Sequence, residues 1–343
     1  YTGDDIAADG VGGPICGWTP TNRDGSAPKE PPHPLLAHSK VRYVGDHIAV
    51  VIAESLEQAR SAAEKITVDL DVLPPVVDLS TAIGNTQIHD EMDDNVYFDW
   101  ELGDESATAS ALESAAKIVE LTVTNNRVIP NAMEPRAAVA EYDETNESYT
   151  LYTTSQNPHL TRLVMAAFMM QIPESKLHVV APDVGGGFGS KIYIYPEEAV
   201  CTWATKKLRR PIKWTADRSE AFLGDAHGRD HVNKVKIGLD QDNKIVGLRV
   251  DTLANLGAYL SAFSMVTPTY LHGTLLSGCY NIPAIYTNVK GVCTTTVNVD
   301  AYRGAGRPEA TYLLERTMDY AARQVGMDPA EFRRINFIPK DAF

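Results

Sequence analysis

Val179-Val180-Ala181-Pro182-Asp183-Val184-Gly185-Gly186-Gly187-Phe188-Gly189-Ser190-Lys191 runs from two β-branched residues into three consecutive glycines, an aromatic, a fourth glycine and a lysine. Glycine lacks Cβ, so this backbone can take φ > 0 and can approach a ligand closely. A helix-like segment from Pro196 to Lys206 follows. The order strand, glycines, helix points backbone N–H groups at an anionic partner such as a phosphate, a pterin edge or a metal oxo group. A flexible strand-to-helix turn is the competing reading of the block. The spacing is not that of a common nucleotide site. Ser190 stands where G-x-G-x-x-G needs its last glycine, and the Gly-Lys-Ser/Thr ending of a P-loop is missing.

The surrounding chain has 343 residues, enough for two domains with sizeable cores. Its 44% hydrophobic and 22% charged content is ordinary for a soluble globular protein. Lys and Arg number 31 against 45 Asp and Glu, a net charge of −14. That balance argues against nucleic acid or an anionic membrane surface as the main partner. No apolar run approaches the ~18 residues of a membrane span, and Tyr1-Thr2-Gly3-Asp4-Asp5 is neither a Met start nor a signal peptide. Four cysteines lie far apart without zinc or iron–sulfur spacing. Free buried thiols in a reducing, cytoplasmic compartment are expected.

Residues 1–34 read as irregular loop. Strands are expected at 41–44, 48–53 and 66–72, with the second buried on both faces, around a helix opened by the cap Ser55-Leu56-Glu57-Gln58. The acidic stretch over 91–107 reads as a surface connector. A helix near 108–116 and strands near 117–124, 137–142 and 149–154 begin a second unit. Pro158 starts a helix with Leu160, Leu163, Val164 and Ala167 inward. Further strands are expected at 177–181, 212–215, 231–239, 244–256 and 289–299. Helices follow near 309–325, with Leu313, Leu314, Met318 and Ala321 inward, and from Pro329 behind the cap Asp328.

Three stretches lie where a strand gives way to a helix: Thr153 to Asn157, the glycine block, and Ala301-Tyr302-Arg303-Gly304-Ala305-Gly306-Arg307. Such ends collect ligand groups in α/β proteins. Gln156 offers a donor and an acceptor, Arg303 and Arg307 offer guanidinium forks, and the glycines offer bare amides. Together they describe a pocket for a large, polar, phosphate-bearing cofactor. Taken singly, capping explains Gln156 and surface ion pairing explains the arginines. The nine histidines show no ligand spacing. Lys191 reads as solvated and Glu134-Pro135-Arg136 as a structural ion pair. The absence of G-x-S-x-G disfavours a hydrolase.

These pieces, with His33-Pro34-Leu35-Leu36, Val41-Arg42-Tyr43-Val44-Gly45, Val50-Val51-Ile52-Ala53-Glu54-Ser55 and Met133-Glu134-Pro135-Arg136, occur in one order across nearly the whole chain. In that order the chain resembles the large, molybdenum-binding subunit of the xanthine oxidase family of molybdenum hydroxylases, in its carbon monoxide dehydrogenase-like branch. The resemblance implies an α+β protein: an N-terminally truncated α/β-hammerhead domain over 1–90, the connector, and the first molybdopterin-binding domain over 108–343. It implies that Gln156 hydrogen-bonds an oxygen on molybdenum and that Gly186, Gly187, Phe188 and Gly189 lie against the metal oxo group and pterin. Arg303, Gly304 and Ala305 would complete the cofactor site, with Tyr302 and Gly306 lining the substrate side. The metal would be held through the pterin, with no metal ligand in this chain.

The implied reaction hydroxylates an aldehyde, N-heterocycle or similar small molecule with water as oxygen source. The implied cofactor is molybdopterin, expected as the cytosine dinucleotide, and electrons would leave through 2Fe-2S clusters and FAD. Those sit on a small iron–sulfur subunit and a medium FAD-binding subunit, in a dimer of heterotrimers. The family's general-base glutamate is expected beyond Phe343, so this stretch alone is expected to be inactive. Carbon monoxide dehydrogenases carry a copper-binding cysteine where Gly304 stands, which weighs against CO as substrate. Ile192 replaces the acidic residue that purine- and aldehyde-oxidising relatives often have after Lys191. A non-catalytic assembly partner is the alternative from another class.

Overall fold

Several helix starts of this chain are written in single residues. Asn157, Asp217 and Asp328 each accept amides of the turn that follows, which satisfies donors a helix cannot pair internally. Pro158 and Pro329 then occupy first-turn positions where a missing N–H costs nothing. The computed structural model describes residues 1–342, so the last residue of the expected 108–343 span lies outside the described residues. The helices are α1 (Gly3–Ala8), α2 (Leu56–Ala63), α3 (Glu105–Glu113), α4 (Pro158–Val164), α5 (Pro196–Leu208), α6 (Arg218–Gly224), α7 (Tyr270–Gly273), α8 (Arg307–Gln324) and α9 (Pro329–Asn336). The strands are β1 (Val96–Gly103), β2 (Lys117–Asn125), β3 (Ala137–Asp143), β4 (Ser148–Thr153), β5 (Leu177–Val180), β6 (Ile212–Thr215), β7 (His231–Leu239), β8 (Ile245–Gly257) and β9 (Ile285–Cys293).

They form two sheets in an α+β arrangement. The larger has the order β1-β9-β8-β7-β2, the smaller β5-β4-β3-β6. Side chains alternate across a strand, and β7 uses both faces. Val235, Ile237 and Leu239 pack with Leu313, Leu314 and Met318 of α8, whereas Gly238, of opposite parity, faces Leu112 of α3. The smaller sheet buries Ala138, Ala140 and Leu151 with Ala199, Val200, Trp203 and Ala204 of α5. β4 and β5 run parallel, with Tyr152 opposite Val180. Their C-terminal ends therefore lie side by side, which sets residues 154–157 next to the glycine block.

The acidic connector expected over 91–107 is corrected: it contains β1, the edge strand of the larger sheet. Tyr97, Phe98 and Trp100 are buried, while Asp99 and Glu101 turn toward Lys290 and Arg23. A register shift between Val96 and Phe98 breaks strict alternation, so the strand's period is hidden among the acids.

The strands expected at 41–44, 48–53 and 66–72 do not form. Only an isolated Thr2–Ala49 bridge touches them, α2 between them buries no residue, and Val44, Val68, Leu70 and Val72 are exposed. A strand needs a neighbour along its length for a ladder, and among the described residues these segments find only Tyr1 and Thr2, beside Val50 and Ala49. Two smaller corrections follow. The inner face after Pro158 is Val164, Met165 and Met169, with Leu163 and Ala167 exposed. A π-turn over Met165–Met170 widens the helix there and rotates the face. The last strand is 285–293 rather than 289–299.

Candidate functional site

Gln156 sits at the centre of the three converging loops. Its Oε1 accepts from the backbone amides of Gly189 at 2.9 Å and Lys191 at 3.3 Å, and its own N–H donates to the Lys191 carbonyl at 2.8 Å. Two amide donors on one oxygen assign the side chain's orientation, because only the carbonyl end can accept them. The NH2 end makes no hydrogen bond among the described residues and remains the free donor. Gly187 lies beneath this side chain, and a Cβ there would fall on the Gln156 amide. That is the physical need for glycine at 187.

The bend itself is strained in a directed way. Gly186 has φ 94°, Phe188 φ 54° and Gly189 φ 106°, so an aromatic occupies a left-handed position between two glycines. The N–H groups of Gly187 and Phe188 donate to nothing among the described residues. Phe188 O accepts the Arg303 amide at 2.8 Å, and a Cβ on Gly189 would collide with the Ala301 carbonyl. Tyr193 Oη donates to that carbonyl at 2.6 Å. The third loop is therefore stitched to the second, and Gln156, Gly186 to Gly189 and Tyr302 to Gly306 form one surface.

In the third loop Gly304 (φ 106°), Ala305 (φ 42°) and Gly306 (φ 85°) are three successive left-handed residues. Arg229 fastens it from behind. Its guanidinium lies 4.8 Å from the Tyr302 ring centre, donates to the Tyr302 carbonyl at 3.2 Å and the Arg303 carbonyl at 3.1 Å, and pairs with the buried Glu309 at 3.0 Å. The Arg303 side chain is exposed. Arg307 is exposed too and donates to the Gly304 and Ala305 carbonyls. At the loop's base Asp300 is buried, and burial pushes its carboxyl up to about 6 although Ser261, Phe263 and Ala301 donate to it.

Two supports were not legible as such. Lys191 is not solvated: its side chain is 2% exposed and its ammonium pairs with Glu134 at 2.9 Å. Arg136 is paired elsewhere, with Asp225 at 2.6 Å and both oxygens of Glu197 at 2.8 and 3.1 Å, over the Tyr195 ring at 3.6 Å. Burial pushes the Glu197 carboxyl up, but Arg136 and His47 outweigh it and hold the group well below the usual carboxylate range. His47, Glu197 and Glu220 have potential ligand atoms within 4.8 Å of one another. Of the three, Glu197 is already committed to the Arg136 guanidinium and to His47, and residues 47, 197 and 220 are too far apart in sequence to signal themselves. Cys279 is exposed, unlike the other three thiols. A cavity of about 700 Å³ lined by Pro14, Cys16, Glu30, His33 and Arg42 lies away from these loops. The free donors and left-handed backbone, not that cavity, mark the site.

The donor set suits a large group bearing oxygen acceptors, held by amides instead of by a side-chain metal ligand. A model of the molybdopterin cofactor-binding domain matches residues 88–337, and one of the aldehyde oxidase and xanthine dehydrogenase a/b hammerhead domain matches residues 5–74. The chain is 37% identical over 333 residues to the carbon monoxide dehydrogenase large chain of Hydrogenophaga pseudoflava, covering 90% of this chain and 40% of that one. It is 32% identical over 318 residues to the nicotine 6-hydroxylase large subunit of Paenarthrobacter nicotinovorans, covering 89% and 38%. It thus spans about two-fifths of the length of these curated relatives. Quinoline 2-oxidoreductase of Pseudomonas putida 86 superimposes with a TM-score of 0.91 at 32% identity, over 100% of this chain and 43% of that one. The chain belongs to the xanthine oxidase family of molybdopterin-binding proteins.

Proposed function

We propose that this chain forms the molybdenum-binding part of a hydroxylase large subunit acting on an aldehyde, N-heterocycle or similar small molecule, with water as oxygen source. The observation that carries the reading is the interlock of Gln156 with the glycine bend. It commits the Gln156 carbonyl to the Gly189 and Lys191 amides and leaves the NH2 group for an acceptor outside the protein. The residues fit the oxygen-bearing head of a molybdopterin, which we propose in its cytosine dinucleotide form. Gln156, Gly186, Gly187, Phe188, Gly189, Arg303, Gly304 and Ala305 hold it, and Tyr302 and Gly306 face the substrate. When bound, the group supplies a Lewis acid and a two-electron acceptor.

This chain's own residues do three things there. Gln156 donates a hydrogen bond toward an oxygen of the group. Gly187 and Phe188 present unpaired N–H groups that favour negative charge. The left-handed 304–306 turn sets the course of the substrate-side loop, its two glycines packing where a Cβ would meet Pro308 or Leu271. Electrons leave through an iron–sulfur small subunit and an FAD-binding medium subunit in a dimer of heterotrimers, as suits a chain whose relatives are themselves large chains or subunits. A cytoplasmic complex is consistent with free thiols, and no described helix is long and apolar enough to cross a membrane.

CO oxidation is the second reading, favoured by the identity to a carbon monoxide dehydrogenase. Residue 304 opposes it. Its φ is 106°, and a Cβ would overlap the Pro308 ring, so a thiol in the copper-binding place would force the turn to rebuild. Dye reduction by the complete complex decides between the readings. Turnover with aldehydes or N-heterocycles is expected, and none with CO. CO-dependent reduction would overturn the assignment, and turnover by a molybdenum-free sample would overturn the cofactor.

A further inference from the structure

Lys191 carries an ammonium that the fold has taken almost wholly out of water, directly behind the glycine bend. Its Nζ donates to the Glu134 carbonyl at 2.8 Å and to Glu134 Oε2 at 2.9 Å. The same oxygen accepts the Gly185 amide at 2.8 Å, and Glu134 N donates to the Gly185 carbonyl at 3.3 Å. One carboxylate oxygen thus ties the residue that opens the bend to the residue that closes it. A Cβ on Gly185 would stand 2.6 Å from Glu134 Cβ, so the two strands of this clasp touch. Burial raises the Glu134 carboxyl, but Lys191 and the Gly185 amide outweigh it and keep the group below its ordinary range.

The clasp reaches Gln156 through the backbone of Lys191. The amide of residue 191 donates to Gln156 Oε1, and its carbonyl accepts the Gln156 amide. Burying an ammonium is costly unless it is well paired, and a methionine of similar length would fill the same space. An ion pair here is unneeded for packing alone. We propose that Glu134 and Lys191 are a positioning pair for Gln156: they pin both ends of the bend, hold the Gly189 and Lys191 amides on the Gln156 carbonyl, and so keep its NH2 group turned toward the cofactor. The consequence for turnover rests on the molybdopterin reading; the pinning does not.

The test uses the complete enzyme carrying Lys191→Met, with Glu134→Gln as the conservative variant that keeps an acceptor for Gly185 and Lys191. Lys191→Met leaves Glu134, whose side chain is 37% exposed and can be solvated, so the fold survives the change. Losing a charge-assisted bond predicts about 10- to 100-fold faster hydrogen exchange at the Gly189 amide in Lys191→Met. With molybdenum content retained, kcat should fall by a similar factor, KM should stay nearly constant, and the Mo(V) paramagnetic signal should shift. Glu134→Gln should recover most of each. Unchanged exchange in Lys191→Met overturns the proposal, as does loss of molybdenum with kcat per metal unchanged. A wild-type sample without molybdenum would sink the cofactor reading, while the exchange comparison would still decide the clasp.

Discussion

The glycine bend and the segment from Val41 to Val77 both carry strong sequence signals, yet only the first matches its expected form. The bend is held from three sides by Gln156, Glu134 and the Tyr302 loop. The segment alternates apolar and polar residues over 66–72 and forms no ladder among the described residues, with Val72 93% exposed. A glycine's need for space is met by whatever lies within a few ångströms. A strand's need for a partner is met only by another stretch of chain. Signals of the first kind can be read one residue at a time, and signals of the second kind cannot.

This contrast predicts where substitutions hurt. The largest effect is expected at Arg136→Met, which leaves Glu197 and Asp225 buried without their cation. It should cost about 3–5 kcal/mol of stability, read as a lowered denaturation midpoint. The pH dependence has a defined sign. Glu197 has a depressed carboxyl, so its contribution is full above the ordinary carboxylate range and is lost as pH falls through the depressed value. The stability gap between wild type and Glu197→Gln should therefore be widest near neutrality and shrink below about pH 4. Equal gaps at both ends would remove the ion network from the account.

Gln156→Ala in the complete enzyme should lower kcat by about 10²- to 10³-fold, as loss of one pre-aimed donor does elsewhere, and should also lower the melting temperature, because the buried Gly189 and Lys191 amides lose their acceptor. Gly189→Ala should cost about 1–3 kcal/mol, because φ 106° strains any L side chain and its Cβ meets Ala301. It should also loosen the third loop, read by faster exchange at the Arg303 amide. The smallest effect is expected at Val72→Asp, within about 0.5 kcal/mol in this chain. A loss of several kcal/mol there would show that the 66–72 stretch is packed after all.

Residue types at short spacing made the site legible. Gln156 next to a strand end, glycines after a strand, and the Tyr-Arg-Gly turn each announce a loop that does something. The supports were hidden because their partners are distant: Lys191 lies 57 residues from Glu134, and Arg136 lies 61 from Glu197 and 89 from Asp225. Which carboxylate meets which cation follows from strand order, and strand order is not a local property. β1 was hidden for a different reason. Asp99 and Glu101 read as solvated charge, while the aromatic residues between and before them pack into the core. The helix ends were the most local features, and caps such as Asp328 mark them in single residues.

The most direct test is the ratio of molybdenum and pterin to protein in the purified complete enzyme, for wild type and for the Gly187→Val, Gly189→Val double variant. About one molybdenum and one pterin per large subunit are expected in wild type, and near-complete loss of both in the folded fraction of the variant, whose strained bend also lowers its melting temperature. A metal-free wild type grown with ample molybdate, or a variant that keeps its full complement, would contradict this.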